Sequence, residues 1–184
     1  MIDQNFELER DTENSASLLK FDSALKRAIK LLSVHDFSIS NMKEALLRHG
    51  FDDQCISDVI EHLLQLQYLD DERLAINLLE KYVSKGKGPH YIKNKFLKHG
   101  LTFSIELYRQ FFLDQGLASS DHLAITIERA SRKYLHQCDS PTNFERKVLS
   151  YLFRQGLIQD QNEIDLYKST MRQLWDSKQI HGSN

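Results

Sequence analysis

One pattern recurs three times along the chain. An Ala-Ile pair, at Ala28-Ile29, Ala75-Ile76 and Ala124-Ile125, opens an apolar helix, and downstream of each pair comes a helix end spelled LLRHGF, FLKHGL or LFRQGL. Internal similarity of this kind constrains the fold more than composition does, because each copy must be one supersecondary unit that buries its apolar side against a neighbour. Gly50, Gly100 and Gly156 stand at equivalent points, where a residue of positive φ lets a helix stop and its last carbonyls find partners. The stretch from pair to glycine lengthens from copy to copy. The second and third units therefore carry insertions, the third around Cys138-Asp139-Ser140-Pro141.

Two prolines and seven glycines punctuate 184 residues, and β-branched alternation is nearly absent, which predicts helices throughout. In the first unit they run from Phe21 to Val34, Ser40 to His49 and Gln54 to Leu66, with Ser38 or Ser40 and Asp52 or Asp53 as caps. Ile56, Val59, Ile60, Leu63 and Leu64 form a stripe at helical spacing that must face a partner. In the second unit Asp70 or Asp71 caps a helix carrying Ala75, Leu78, Leu79 and Tyr82 inward. Gly86-Lys87-Gly88 breaks it, Pro89 starts the next, and Gly100 closes that one after Ile92, Phe96 and Leu97. A third helix spans Ser104 to Gln115 and ends at Gly116. In the last unit Ser120 caps a long helix with Leu123, Ile127, Ala130 and Tyr134 inward, and a final helix buries Ile164, Tyr167, Met171, Leu174 and Trp175.

A unit of this size has a marginal core by itself, so end-to-end packing is the expected way to stabilise it. The expected fold is all-α: three tandem three-helix repeats in an extended, curved array, at residues 21–69, 70–117 and 118–184. Residues 1–20 hold five of the acids, few core-forming residues and two bases, and are expected to be an acidic mobile N-terminal arm. The absence of heptads points to a monomer.

Charge narrows the function. The net charge of −2 lies mostly in that arm, and the remainder is close to neutral, unlike a nonspecific nucleic-acid binder with a basic surface all round. Positive charge is local instead. Between Lys81 and Ile105 there is no acid, while Lys81, Lys85, Lys87, Lys93, Lys95 and Lys98 fall within or beside it. Tyr91, Lys95 and Lys98 share one helix face, opposite Ile92 and Phe96. Arg129, Arg132 and Lys133 form a second patch, in which Glu128 can pair with Arg132; Arg146, Lys147 and Arg154 form a weaker third. Solvated lysines on an outer face are common, but six without an acid sum to a field that can steer docking onto an acidic protein or a phosphate chain.

Catalytic readings find little support. Asp70, Asp71 and Glu72 suggest a nuclease metal site, yet acids that open a helix are favoured there by capping and by the helix dipole. SKGKGP follows a helix and lacks the GKS or GKT of a phosphate-binding loop. The eight histidines are scattered, and His136 with Cys138 makes no zinc site. Cys55 and Cys138 read as two reduced thiols. No apolar run approaches a membrane span and the N-terminus is not a signal peptide, so a cytoplasmic non-enzyme is expected, with no cofactor or metal.

The central block resembles the RecX family, regulators of the bacterial RecA recombinase. Leu69, Asp70, Asp71, Glu72, Arg73, Leu74 and Ala75 match the family's Leu-Asp-Asp-x-Arg pattern, with Leu74 where Phe is usual. Lys85, Gly86, Lys87, Gly88, Pro89 and Ile92 match its Lys-Gly-x-Gly-Pro pattern, with His90 and Tyr91 where an Arg is usual. The likeness extends from Ala24 to Leu157. It implies a regulator, in the main negative, that binds the RecA nucleoprotein filament by capping its growth or lying in its groove, within recombination, DNA repair and the SOS response. The residues assigned to such a partner are Arg73, Lys81, Lys85, Lys87, His90, Tyr91, Lys93, Lys95, Lys98, Arg129, Arg132 and Lys133. The alternative partner is DNA itself, single- or double-stranded, met by the lysine-rich helix as in a helix-turn-helix. A generic helical scaffold for an unrelated partner is the third reading.

Overall fold

The computed structural model describes residues 3–158 and, beyond them, 164, 167–168, 171–173 and 175–177. Every regular element among the described residues is a helix: α1 Asp3–Leu32, α2 Ile39–Arg48, α3 Asp53–Gln65, α4 Asp71–Val83, α5 Pro89–Lys98, α6 Ile105–Leu113, α7 Ser119–Leu135 and α8 Pro141–Gln155. Their order is compatible with successive sets of three. Helical backbone recurs at residues 171–173 and 175–177, within the expected final helix.

Two expectations at the start of the chain need correction. α1 begins at Asp3 and not at Phe21, so most of the expected arm is helical, and Ala28-Ile29 lies near the end of a helix it was expected to open. The reason is local: no glycine or proline interrupts residues 3–32.

The chain divides into two compact units. The first comprises Met1–Ala75 with Lys98–Leu101, the second Ile76–Leu97 with Thr102–Asn184. In the first unit α1, α2 and α3 pack around Ala24, Ala28, Met42, Leu46, Val59 and Leu63. Ser38, left open against Ser40 by the sequence, is the cap of α2: its buried hydroxyl accepts from Asn41 N at 3.1 Å and donates to the His99 carbonyl. Asp52 caps α3 through Cys55 N at 2.9 Å. Of the predicted α3 stripe, Leu64 is the exception and stays exposed. The turn after α3 places Gln67 at φ 58°, a left-handed conformation that the side chain does not favour. Arg73 supports it, donating from Nη2 to the Gln67 carbonyl at 2.9 Å.

In the second unit α7 and α8 enclose Ile127, Ala130, Phe144, Val148 and Leu152, joined by Met171 and Trp175. Trp175 is core, as its spacing predicted; Leu174 lies outside the described residues. Burying a side chain such as Phe144 contributes about 1.5–3 kcal/mol. α7 starts differently from the expectation, because Ser120 is not its cap. Asp121 reaches back to accept from Ala118 N at 2.9 Å, a carboxylate in the first turn replacing a hydroxyl before it. Between α6 and α7 the buried Tyr108 hydroxyl meets His122 Nδ1 at 2.8 Å. Burial raises the Tyr108 pKa and lowers that of His122. The Val83 backbone opposes the His122 shift and Arg129 adds to it, while Nε2 of His122 is left without a well-formed hydrogen bond.

A candidate interaction surface at the Gly86 to Pro89 joint

The Lys-Gly-x-Gly-Pro sequence is a hinge-like turn whose geometry is set by backbone contacts. Gly86 takes φ 69° and Lys87 N bonds the Tyr82 carbonyl at 2.9 Å, closing α4. Pro89 then opens α5, where its missing N–H is no loss. Gly88 is required by space: a Cβ there would collide with the Gly156 carbonyl oxygen and lie 2.6 Å from Leu157 Cα. The same seam excludes a Cβ at Gly156, which faces the Tyr91 backbone. Three hydrogen bonds close it: Gly88 N to the Gln155 carbonyl at 2.8 Å, His90 N to the Gly156 carbonyl at 3.1 Å, and Lys87 Nζ to Gln155 Oε1 at 2.6 Å. The joint is thus fastened to the C-terminal cap of α8.

That anchorage gathers cations around two tyrosines. Tyr82 and Tyr91 meet edge to face with centroids 5.5 Å apart. Lys87 Nζ stands 4.6 Å from the Tyr91 centroid, Lys95 Nζ 5.2 Å from Tyr91 and 5.9 Å from Tyr82, and Lys81 Nζ 5.8 Å from Tyr82. Each such contact at an exposed site is worth about 0.5–1 kcal/mol, enough to offset part of the repulsion among neighbouring ammonium groups. Tyr82, read from the sequence as an inward apolar position, is half-buried and belongs to this cluster. A terminal tyrosine on an otherwise aliphatic stripe was the available signal.

The other candidates are distributed. Lys85 and Lys93 are exposed and make no ion pair among the described residues; His90 is half-buried. Arg129 comes close to the joint, its Nη1 being 3.7 Å from where a Gly86 Cβ would stand. Arg132 is paired with Glu128 at 2.5 Å, and Lys133 Nζ lies 5.2 Å from the Tyr134 ring and 5.9 Å from Tyr151. Arg73 and Lys98 belong to the first unit, where Arg73 is tied to Gln67 and the Lys98 carbonyl accepts from Asn41 Nδ2 at 3.1 Å. In the weaker patch Arg146 Nη2 donates to Asn143 at 3.0 Å and Lys147 Nζ to the Gln137 carbonyl at 3.1 Å.

Two of the three acids that suggested a metal site have structural partners. Asp70 accepts from Arg73 N at 2.8 Å and Asp71 from Ile39 N at 2.9 Å. Among the described residues no three His, Cys, Asp or Glu side chains gather as metal ligands, and no helix is long and apolar enough to cross a membrane. Cys55 and Cys138 are buried free thiols.

No family model matches the chain. It is similar to the regulatory protein RecX of Streptococcus equi subsp. equi (strain 4047), 24% identical over 166 residues, covering 88% of this chain and 59% of that protein. It is also similar to RecX of Acinetobacter baylyi (strain ATCC 33305 / BD413 / ADP1), 21% identical over 151 residues, covering 82% and 91%. The chain thus spans about 59% of the length of the Streptococcus equi relatives it matches. In fold it is similar to the crystal structure of RecX from Lactobacillus salivarius, with a TM-score of 0.63 at 19% identity over 85% of this chain and 97% of that one. A second RecX crystal structure gives 0.66 at 16% identity, over 88% and 77%. The resemblance read from the central motifs therefore extends over most of the chain, in sequence and in an all-helical fold.

Proposed function

We propose that this RecX-like chain is a regulator of RecA recombinase, acting by binding the RecA nucleoprotein filament and restraining its growth and activity in recombination, DNA repair and the SOS response. The observation that carries the reading is the joint itself: the motif glycines seat the Lys87–Tyr91–Lys95 cluster against α8, on an acid-free stretch of chain. A fixed cluster of cations and aromatic rings suits an extended polymeric partner, since positioned charge steers encounter and sets register. Such a regulator occludes a polymer, makes or breaks no bond, and works as a cytoplasmic monomer.

The test uses RecA filaments assembled on single-stranded DNA, with the chain added below stoichiometry while ATP hydrolysis and filament mass are followed. Both should fall. Charge reversal at Lys93, Lys95 and Lys98 should weaken the effect by about tenfold or more at low salt and less as salt rises. Unchanged hydrolysis and mass at equimolar protein would refute the reading.

The Tyr82–Tyr91 pair ringed by lysines also favours a second reading, direct binding of single-stranded DNA by stacking and phosphate contacts. It requires tight, strongly salt-dependent binding of an oligonucleotide with no recombinase present.

A further inference from the structure

We propose that the groove between α4 and α6 docks a basic amphipathic protein segment, one that inserts an aliphatic side chain between flanking Lys or Arg residues. The groove has a volume of about 230 Å³ and lies wholly in the second unit. Ile76, Leu79, Leu107 and Phe111 line its apolar part, and Glu80 and Asp114 are the charged groups at its edge. That volume is below the range of small-molecule and cofactor pockets and suits one or two side chains of a docking protein. Ile76 is 48% exposed beside it, an apolar side chain with more to bury.

The two carboxylates specify the partner's charge. Glu80 is exposed and makes no ion pair among the described residues; Asp114 accepts from Gln110 Nε2 at 2.6 Å, which leaves a carboxylate oxygen for a partner. No cation lines the groove. Charge of one sign beside an apolar floor favours a segment carrying Lys or Arg next to its anchor and repels an acidic one.

The first unit supplies an internal control. There a hollow of about 230 Å³ is lined by Ile29, Leu32, Ser33 and Tyr68, from the end of α1 and the turn after α3. It has an isoleucine from the same Ala-Ile pattern, also 48% exposed, but no carboxylate. Of these two hollows, only the one in the second unit has an acidic edge.

The probe is a short fluorescent helical peptide with leucines at i and i+4 flanked by lysines, compared with a twin carrying glutamates, each titrated with the full chain and followed by anisotropy. The lysine peptide should bind at least about tenfold tighter than its twin. Ile76→Arg should remove that binding, Glu80→Lys with Asp114→Lys should reverse the preference, and Ile29→Arg should change neither, with circular dichroism showing each variant folded. Equal binding of the two peptides, or a preference that survives the double charge swap, would overturn the proposal. So would self-association in sedimentation velocity that Ile76→Arg abolishes, because the occupant would then be a second copy.

Discussion

Around Gly50 the backbone turns at φ 83° and a Cβ placed there would meet nothing within 4 Å, whereas at Gly88 the dihedral is ordinary and the space is missing. Both glycines end or precede a helix, yet one serves a torsion angle and the other a backbone contact with residues far along the chain. The difference separates what a local motif specifies from what tertiary packing demands. A helix end with an open flank tolerates a strained residue at modest cost; a seam where two backbones touch has no such tolerance.

Substitution should expose the contrast. Gly88→Ala should lower stability by about 3 kcal/mol in chemical denaturation, because the added methyl must push α8 away from the joint. Gly50→Ala should cost about 1–2 kcal/mol, the expense of a left-handed alanine without a clash. Equal losses at the two sites would break the comparison. Ser38→Ala should cost about 1 kcal/mol and loosen the His99 contact, since one hydroxyl serves both the α2 cap and that carbonyl.

A pH effect separates the buried pair of the second unit from these turns. The His122 pKa is lowered in the folded state relative to an ordinary histidine near 6.5, so the unfolded chain binds more protons between the two values. Its contribution is fully present above about pH 6.5 and falls as pH drops through the folded-state pKa. The loss of melting temperature between pH 7.5 and 5.5 should therefore be smaller in His122→Asn than in the parent; equal slopes would argue against it. The smallest effect is a gain. Gln67→Gly should stabilise by about 0.5 kcal/mol, as relief of the left-handed side chain outweighs the added chain entropy of glycine.

Much of this architecture could be read from particular residues. Asp52 and Ser104 announced helix starts, Pro89 opened α5, and Gly100, Gly116 and Gly156 all took positive φ at helix ends. Gln67 escaped notice because no residue type marks it, and Ser120 misled because a carboxylate one position later completed the cap. The lysines of the candidate surface were legible as charge, but not their arrangement. That Lys87 binds Gln155, that Tyr82 joins the cluster, and that Arg129 lies beside Gly86 follow from contacts between elements distant in sequence. The α4–α6 groove was hidden for the same reason, since Ile76 read as an ordinary member of an apolar pair.

The sequence alone marked most helix ends after α1, because capping, proline and left-handed glycine act within a few residues of the backbone they serve. Only the tertiary structure decided which of those ends touch. Close backbone approach at Gly88 and Gly156, and the acids left open beside an apolar groove, depend on how helices pack in three dimensions, which local propensity does not encode.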